Sequence, residues 1–199
     1  MPARLPRKEA VILLHGLART RHAMKKPARF LSEHGYMVIN QGYPSTKKRI
    51  AELAEKAIPD ALSQCQAMGA GQIHFLTHSM GGILVRDYLS RHTVPELGRV
   101  VMLSPPNQGS EVVDRLRHLP IFKWMNGPAG QQLGTGADSI PQMLPHPEFE
   151  TGIITGDRTV NPLLSLLIPG KNDGKVSVQR AGVPTMADFL VVHRTHPFI

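Results

Sequence analysis

A serine at the junction of a strand and a helix gives the strongest chemical signal in the sequence. The segment 77–82 (T-H-S-M-G-G) directly follows a strand-like apolar run and directly precedes a helical pattern. A nucleophile elbow needs this context, because a sharp turn raises the serine hydroxyl above the edge of the sheet. The first N–H groups of the helix then face the point where an oxyanion would form. The segment therefore predicts that Ser79 is a nucleophile.

Two features of this segment leave an alternative open. Thr77 stands where the simplest form of the motif has a glycine, so the turn must leave room for a β-branched side chain. A serine at the start of a helix can also act as an N-cap that accepts a hydrogen bond from the helix backbone. The preceding strand and the two glycines Gly81 and Gly82 favour the nucleophile.

A nucleophilic serine needs a base and an acid that orients the base, and two pairs late in the chain could supply them. Asp173 lies in an N-D-G turn, and His196 lies in a loop beyond the last strand-like run. Asp157 and His193 stand at strand ends, where Arg158 offers Asp157 an ion pair instead. The small neighbours of Asp173 let its turn bend towards the terminal histidine loop. The sequence favours Asp173 and His196 and keeps Asp157 and His193 as the alternative.

The elements that must position these residues alternate between strands and helices. Helical stripes begin near residues 24, 50 and 80, and Pro59 interrupts the second of them. This alternation predicts a single α/β domain over residues 1–199, with a mostly parallel sheet of about six strands and helices on both faces. The carboxyl ends of such strands meet at one edge, where we expect the site. The predicted strands are apolar, β-branched runs at 10–14, 36–40, 73–77, 99–103, 152–155 and 189–192.

Composition excludes several classes of protein. With 41% hydrophobic and 19% charged residues, the 199-residue chain is globular rather than disordered. No stretch reaches the roughly 18 apolar residues of a membrane helix. The single cysteine, Cys65, excludes an intrachain disulfide and a multi-thiolate zinc site, and it lies on an apolar helical stripe where burial is expected. The apolar run 11–14 is too short for a signal peptide, so the expected location is cytoplasmic.

Charge is distributed unevenly along the chain. The net charge is +8, and residues 1–50 hold 11 basic and two acidic residues, so the excess lies in the first quarter. A solvated basic face is the plain explanation, and an anionic partner such as a lipid surface is the alternative. Nucleic acid is not expected, because the aromatic residues that a single-strand binder interleaves with its basic ones are missing.

The motifs resemble those of the α/β-hydrolase superfamily, in particular its small bacterial triacylglycerol-lipase-like group. The resemblance implies an α/β-hydrolase fold in which Ser79 is the nucleophile, Asp173 the acid and His196 the base. It also implies an oxyanion hole made by the backbone N–H groups of Leu17 and Met80. The matching motifs follow one another in order between about residues 11 and 199: H-G-L (15–17), T-H-S-M-G-G (77–82), P-P-N-Q-G-S (105–110), N-D-G-K-V-S-V (172–178) and T-H-P-F (195–198).

The resemblance also implies an activity, the hydrolysis of carboxylic esters through an acyl-enzyme intermediate. This chemistry requires no metal and no organic cofactor, and no clear acidic cluster suggests the structural calcium of some similar lipases. The alternatives are a thioesterase, amidase or peptidase with the same residues. A non-catalytic binder of anionic surfaces, acting through the basic first quarter, is the alternative from another class.

The region 119–147 is predicted to be a long loop that forms a rim to the site. It holds five of the 17 prolines and four of the 18 glycines. No cap domain is expected, because no insertion separates the fourth strand from its helix. An open site would favour short to medium acyl chains. Four apolar residues either hold the acyl group at this rim or form the buried face of an amphipathic helix: Ile121, Phe122, Trp124 and Met125.

Overall fold

Six parallel strands form one sheet in the computed structural model, which describes residues 8–160 and 162–199. The strand order is β2-β1-β3-β4-β5-β6, and every neighbouring pair is parallel. Each predicted strand is found within two residues of its expected bounds, so the predicted fold class is confirmed. The strands are β1 (Glu9–Leu14), β2 (Met37–Gln41), β3 (Gln72–His78), β4 (Leu97–Leu103), β5 (Thr151–Gly156) and β6 (Asp188–Val192).

Helices of very different length connect the strands. The longest, α2, continues through Pro59, since one buried stripe along its whole length holds it against the sheet. Within the described ranges, no helix has the length and apolar character needed to cross a membrane. The α-helices are α1 (Lys25–Glu33), α2 (Ile50–Ala67), α3 (Met80–Leu89), α4 (Glu111–Leu116), α5 (Pro120–Gln131), α6 (Ile140–Met143), α7 (Pro162–Ser165) and α8 (Val178–Ala181), with 3-10 turns at Arg21–Met24 and His196–Phe198.

Alternate residues of β1 are buried on opposite faces of the sheet. Ile12 and Leu14 belong to the main core, together with the apolar stripes of α2 and α3. Val11 and Leu13 pack on the other face, against the stripe of α1. Cys65 of α2 is fully buried in the main core, as the sequence predicts. Because β1 is covered on both faces, its sequence is a continuous apolar run.

The strand β6 is the least buried strand of the sheet. It forms one edge and pairs only with β5. Leu190 is 51% exposed, whereas the central strands β1 and β3 bury most of their side chains. The β6 edge is therefore less covered than the central strands.

The prediction that residues 119–147 form a loop is wrong, because this region contains α5 and α6. Proline at the first position of α5 and at the second position of α6 fits a helix start, since its missing N–H has no intrahelical partner there. The backbone leaves helical geometry at Gly127 (φ 60°, ψ −166°), where a Cβ would stand only 1.8 Å from the Thr46 carbonyl oxygen. Glycine thus allows α5 to bend against the loop that precedes α2.

The apolar cluster of α5 divides between solvent and core. Trp124 is 81% exposed, and Ile121 and Met125 are also exposed. Phe122 packs against the main core. Neither interpretation of the cluster holds for all four residues, because Phe122 is partly buried while the other three side chains face outwards.

The first prediction concerns the close packing of α3 on β1. A Cβ at Gly81 would stand 2.7 Å from the Leu14 carbonyl oxygen, so Gly81→Ala must push the helix from the strand. We expect a loss of about 2 kcal/mol in the free energy of unfolding, the usual cost of overpacking a core. Urea denaturation followed by circular dichroism measures it.

The matched control is Gly152→Ala in β5, where a Cβ would meet no atom within 4 Å. We expect this variant to unfold at the same urea concentration as the parent. Equal stability of Gly81→Ala and the parent protein would contradict the packing argument.

Candidate active site

The site lies at the carboxyl edge of the sheet, between β1 and β3. After β1 the chain moves outwards to β2, and α2 then carries it back past β1 to β3. The loops that leave β1 and β3 therefore run in opposite directions, and a crevice opens between them. Leu17 follows β1 and Ser79 follows β3, so two of the predicted site residues meet at this crevice.

Ser79 has a strained backbone conformation. Its φ of 53° and ψ of −121° lie in a region that residues other than glycine rarely adopt, at a cost of about 1–3 kcal/mol. Its N–H donates to the Leu103 carbonyl oxygen at 2.8 Å, and its carbonyl accepts from the Gly82 N–H at 3.0 Å. The hydroxyl makes no hydrogen bond to the start of α3. This geometry is that of an elbow and not of an N-cap.

Glycines leave the space that the elbow occupies. A Cβ on Gly16 would stand 2.9 Å from His78 Nδ1 and 3.1 Å from Ser79 Cβ. Thr77, which replaces the expected first glycine, is fully buried. A Cβ on Gly82 would stand 3.3 Å from the Thr77 hydroxyl. The second glycine after the serine therefore provides the room that the threonine needs.

A hydrogen-bonded chain of three side chains begins at Ser79. Its Oγ lies 3.0 Å from His196 Nε2, and His196 Nδ1 lies 2.7 Å from Asp173 Oδ2. The His196 N–H also donates to the Asp173 carbonyl oxygen at 3.1 Å. Asp173 and His196 are both buried. The imidazole is thus held so that Nδ1 donates to the carboxylate and Nε2 is free to accept from the serine.

The turn around Asp173 orients its carboxylate towards His196. Oδ1 accepts hydrogen bonds from the backbone N–H groups of Lys175 and Val176, each at 2.9 Å, while Oδ2 is left for His196. Burial raises the pKa of Asp173, but the charge and hydrogen bond of His196 outweigh it, so the pKa lies below its usual value. The carboxylate is therefore ionised at neutral pH.

The alternative acid and base pair with each other instead. His193 Nδ1 lies 2.9 and 3.0 Å from the two carboxylate oxygens of Asp157, and the ring is largely exposed. The hydrogen bond from His193 lowers the pKa of Asp157. Ser79 makes no hydrogen bond with either residue in the described part of the chain. The structure therefore brings Asp173 and His196 to Ser79 and leaves Asp157 and His193 apart.

A second buried histidine, which sequence reasoning missed, positions the loop of His196. His78 Nε2 donates to the His196 carbonyl oxygen at 2.8 Å, and the two rings lie 4.9 Å apart. Burial, and then the charge of His196, lower the pKa of His78 to about 3. His78 is therefore neutral beside the His196 ring. One feature of the sequence could have identified His78: it is the last residue of a buried strand and directly precedes Ser79.

A third buried histidine fixes the loop that carries Leu17. His15 Nδ1 donates to the Gly16 carbonyl oxygen at 2.9 Å, and Nε2 accepts from the Tyr43 N–H at 3.4 Å. The Tyr43 ring stacks on the imidazole at 4.1 Å, and its hydroxyl donates to the His15 carbonyl oxygen. Burial lowers the pKa of His15. These contacts give His15 a structural role.

Two backbone N–H groups are available beside Ser79. Leu17 lines the same cavity as Ser79, and Met80 is the first residue of α3. Across residues 8–160 and 162–199, no group accepts a hydrogen bond from the N–H of either residue. The Met80 N–H also lies at the positive end of the helix dipole. An oxyanion formed at Ser79 would find both groups free.

A cavity of about 80 Å³ adjoins the Ser79 hydroxyl. The helices α4 and α5 supply one wall, through Val112, Val113, Phe122 and Asn126. Val176 lies on the wall beside Asp173. Among the residues described, no group of three or more His, Cys, Asp or Glu side chains could hold a metal ion. The cavity is small compared with the 300–1,000 Å³ of typical drug-sized sites.

Comparison with protein families identifies the fold. A family model described as the alpha/beta hydrolase fold matches residues 9–129, more than half of the chain. The chain belongs to this family. The matched region of this alpha/beta hydrolase includes β1, β3 and the elbow at Ser79. A search among curated proteins finds no match.

Solved structures of other hydrolases share the fold at low sequence identity. The mature form of a Bacillus licheniformis lipase superposes with a TM-score of 0.74 and 18% identity, over 100% of this chain and 89% of that one. A metagenomic carboxyl esterase gives 0.72 and 15%, over 98% and 68%. A phospholipase from Legionella pneumophila gives 0.66 and 18%, over 87% and 45%. At these identities the likeness supports the fold of this alpha/beta hydrolase.

The second prediction uses the neutral state of His78. In the folded protein it binds no proton above about pH 3, whereas in the unfolded chain it binds one below about pH 6.5. The unfolded state takes up the extra proton, so stability falls as the pH is lowered from 7 towards 3. The variant His78→Gln lacks the titratable ring. We therefore expect its free energy of unfolding to fall by about 2 kcal/mol less than that of the parent between pH 7 and pH 5.

Urea unfolding at pH 7, 6 and 5 measures this slope for the variant and the parent protein. The control is His118→Gln, at an exposed histidine between α4 and α5, which we expect to unfold with the slope of the parent. An unchanged slope in His78→Gln would contradict this prediction, because it would show that the ring binds its proton over the same pH range in the folded and unfolded states.

Proposed function

We propose that the protein is a serine hydrolase that cleaves carboxylic esters. The observation that carries this proposal is the continuous hydrogen-bonded chain from Ser79 Oγ through His196 to Asp173, beside a cavity. Membership in the alpha/beta hydrolase family supports a hydrolytic reaction at this site.

In the proposed reaction, Ser79 is the nucleophile and His196 the general base. As Oγ attacks the acyl carbonyl carbon, its proton passes over 3.0 Å to His196 Nε2. The imidazolium that forms is stabilised by the ionised carboxylate of Asp173, which also holds Nδ1 protonated. The neutral His78 adds no positive charge to oppose this step.

Leu17 and Met80 complete the proposed machinery. The carbonyl oxygen becomes negatively charged as the tetrahedral intermediate forms, and two preorganised N–H donors stabilise that charge. His196 then gives its proton to the leaving alcohol, and an acyl group remains on Ser79. A water molecule, activated by the same imidazole, attacks this acyl-enzyme and releases the acid.

We propose that the acyl group is short to medium in length. The cavity beside Ser79 is small, and α4 and α5 close it on one side. Apolar side chains such as Val112 and Phe122 line that side, so they suit an alkyl chain of a few carbons. A long acyl chain would have to leave the cavity along the exposed surface of α5.

The third prediction tests the nucleophile with p-nitrophenyl esters of acetate, butyrate, octanoate and palmitate. We expect the highest kcat/KM on the shorter esters, without a steep rise in rate when long esters form an interface. Ser79→Ala lowers kcat/KM on all of them by a factor of about 10⁴ or more, because only binding and the oxyanion donors remain. Circular dichroism checks that the variant is folded.

The matched control is Ser32→Ala in α1, an exposed serine far along the chain from the site, which retains the parent rate. Ester hydrolysis by Ser79→Ala at the parent rate would overturn the proposal. Matched butyryl thioester and amide substrates separate the esterase from a thioesterase or an amidase. Absence of turnover on the whole set would leave a non-catalytic binder.

The fourth prediction separates the two candidate acids. Asp173→Asn removes the charge that stabilises the imidazolium and favours the wrong imidazole tautomer, so kcat falls by about 10³ to 10⁴. Asp157→Asn changes the hydrogen bonds to the largely exposed His193 and leaves kcat within about twofold. Steady-state kinetics on p-nitrophenyl butyrate compares the two folded variants. A larger loss in Asp157→Asn than in Asp173→Asn would assign the acid to the end of β5.

A further inference from the structure

The cavity beside Ser79 contains two cationic side chains that the proposed ester hydrolysis does not use. Arg19 enters it from the loop after β1, and Lys175 enters it from the turn that carries Asp173. The cavity has no aspartate or glutamate in its described lining. Its other lining residues are apolar, neutral polar or histidine: Gly16, Leu17, His78, Ser79, Pro106, Ser110, Val112, Val113, Phe122, Asn126, Leu133, Val176 and His196.

The two cations lie close enough to repel each other. Loss of hydration, and then the positive charge of Arg19, lower the pKa of Lys175. Asp173 attracts Lys175, but its carboxylate is already held by His196 and by backbone N–H groups. In the part of the chain that the structure describes, neither cation forms an ion pair.

Two other arginines of this chain have acidic partners, whereas the buried Arg86 is bound by backbone carbonyl oxygens. Arg91 pairs with Glu55 and Asp87, and Arg180 pairs with Glu111. Arg19 and Lys175 are both exposed to solvent, but they flank an apolar cavity without a carboxylate, so an anion bound between them would offset their repulsion. This unpaired positive charge lies beside the reacting serine and not on a distant surface.

We propose that the substrate is an ester that carries its own anionic group, a carboxylate or a phosphate, which Arg19 and Lys175 bind. This inference rests on the proposed ester hydrolysis at Ser79. Arginine offers a planar pair of N–H donors to such an anion, and lysine adds a point charge. The apolar wall from α4 and α5 receives the acyl chain, so the cavity selects a molecule with one apolar and one anionic part.

The position of the pair explains how it would favour reaction as well as binding. Arg19 is two residues beyond Leu17, and Lys175 is two residues beyond Asp173. An anion held by both is therefore tied to the oxyanion loop on one side and to the acid's turn on the other. Binding energy at the anion then orients the carbonyl at Ser79. The cations also attract anionic substrates before contact.

Two pairs of short-chain esters test the proposal, because the members of each pair differ by one anionic group. The carboxylate pair is 4-acetoxybenzoate and its methyl ester. The phosphate pair is dibutyryl glycerophosphate, below its critical micelle concentration, and dibutyryl glycerol. The quantity compared is the ratio of kcat/KM for the anionic and the neutral ester, measured for the parent and for each variant at low salt.

We expect Arg19→Gln and Lys175→Gln each to lower this ratio about tenfold in at least one pair. The pair that responds identifies whether a carboxylate or a phosphate is preferred. The matched controls are Arg21→Gln and Lys171→Gln, basic residues of the same two loops that do not line the cavity, and they retain the parent ratio. Raising sodium chloride to 0.5 M lowers the parent ratio, because salt screens the attraction.

The outcomes separate this inference from the function on which it rests. If the parent protein hydrolyses the neutral esters and neither cavity variant changes the ratio, the anionic substrate is overturned and ester hydrolysis stands. An equal fall in the control variants assigns the effect to the general basic surface and also overturns it. If the parent hydrolyses no ester of either pair, ester hydrolysis itself fails, and the inference fails with it.

Discussion

The backbone of Ser79 turns through a positive φ between β3 and α3, and the rest of the site depends on how that turn is held. At this tight junction, α3 must approach β1 closely, and Gly81 permits this approach. The loop after β1 must also come close to the serine, and Gly16 permits that approach. The strain is held by surrounding structure, since the neighbours are buried and the Ser79 N–H is bound to β4. The hydroxyl is therefore fixed before any partner reaches it.

Burial assigns different roles to three histidines at the same edge of the sheet. His15 and His78 have lowered pKa values because they are desolvated, so they remain neutral and hold loops through their ring nitrogens. His196 is buried as well, but it is the one of the three whose ring is hydrogen-bonded to a carboxylate, that of Asp173. The same side chain thus supports structure at two positions and suits proton transfer at the third.

The fold, and not the distribution of charge along the sequence, decides which charged side chains lie at the site. The excess positive charge lies in the first 50 residues, yet among the described basic residues of that region only Arg19 lines the cavity. Its partner Lys175 comes from a segment whose overall charge is almost balanced. The net charge of the first quarter is therefore a poor guide to the electrostatic field at the site. That field depends on Arg19 and Lys175, which are about 150 positions apart in the chain.

The sequence by itself determined the local elements: six strands near their observed bounds, the elbow at Ser79 and the order of the candidate residues along the chain. Periodicity and small residues encode these features within a few positions. Only the tertiary structure decided that His196 and not His193 reaches Ser79, that His78 supports it, and that Lys175 meets Arg19. It also decided that α5 and α6 form within residues 119–147, where the prolines and glycines had indicated a loop. These outcomes depend on contacts between distant segments, because burial and the directions of loops follow from packing that local patterns do not record.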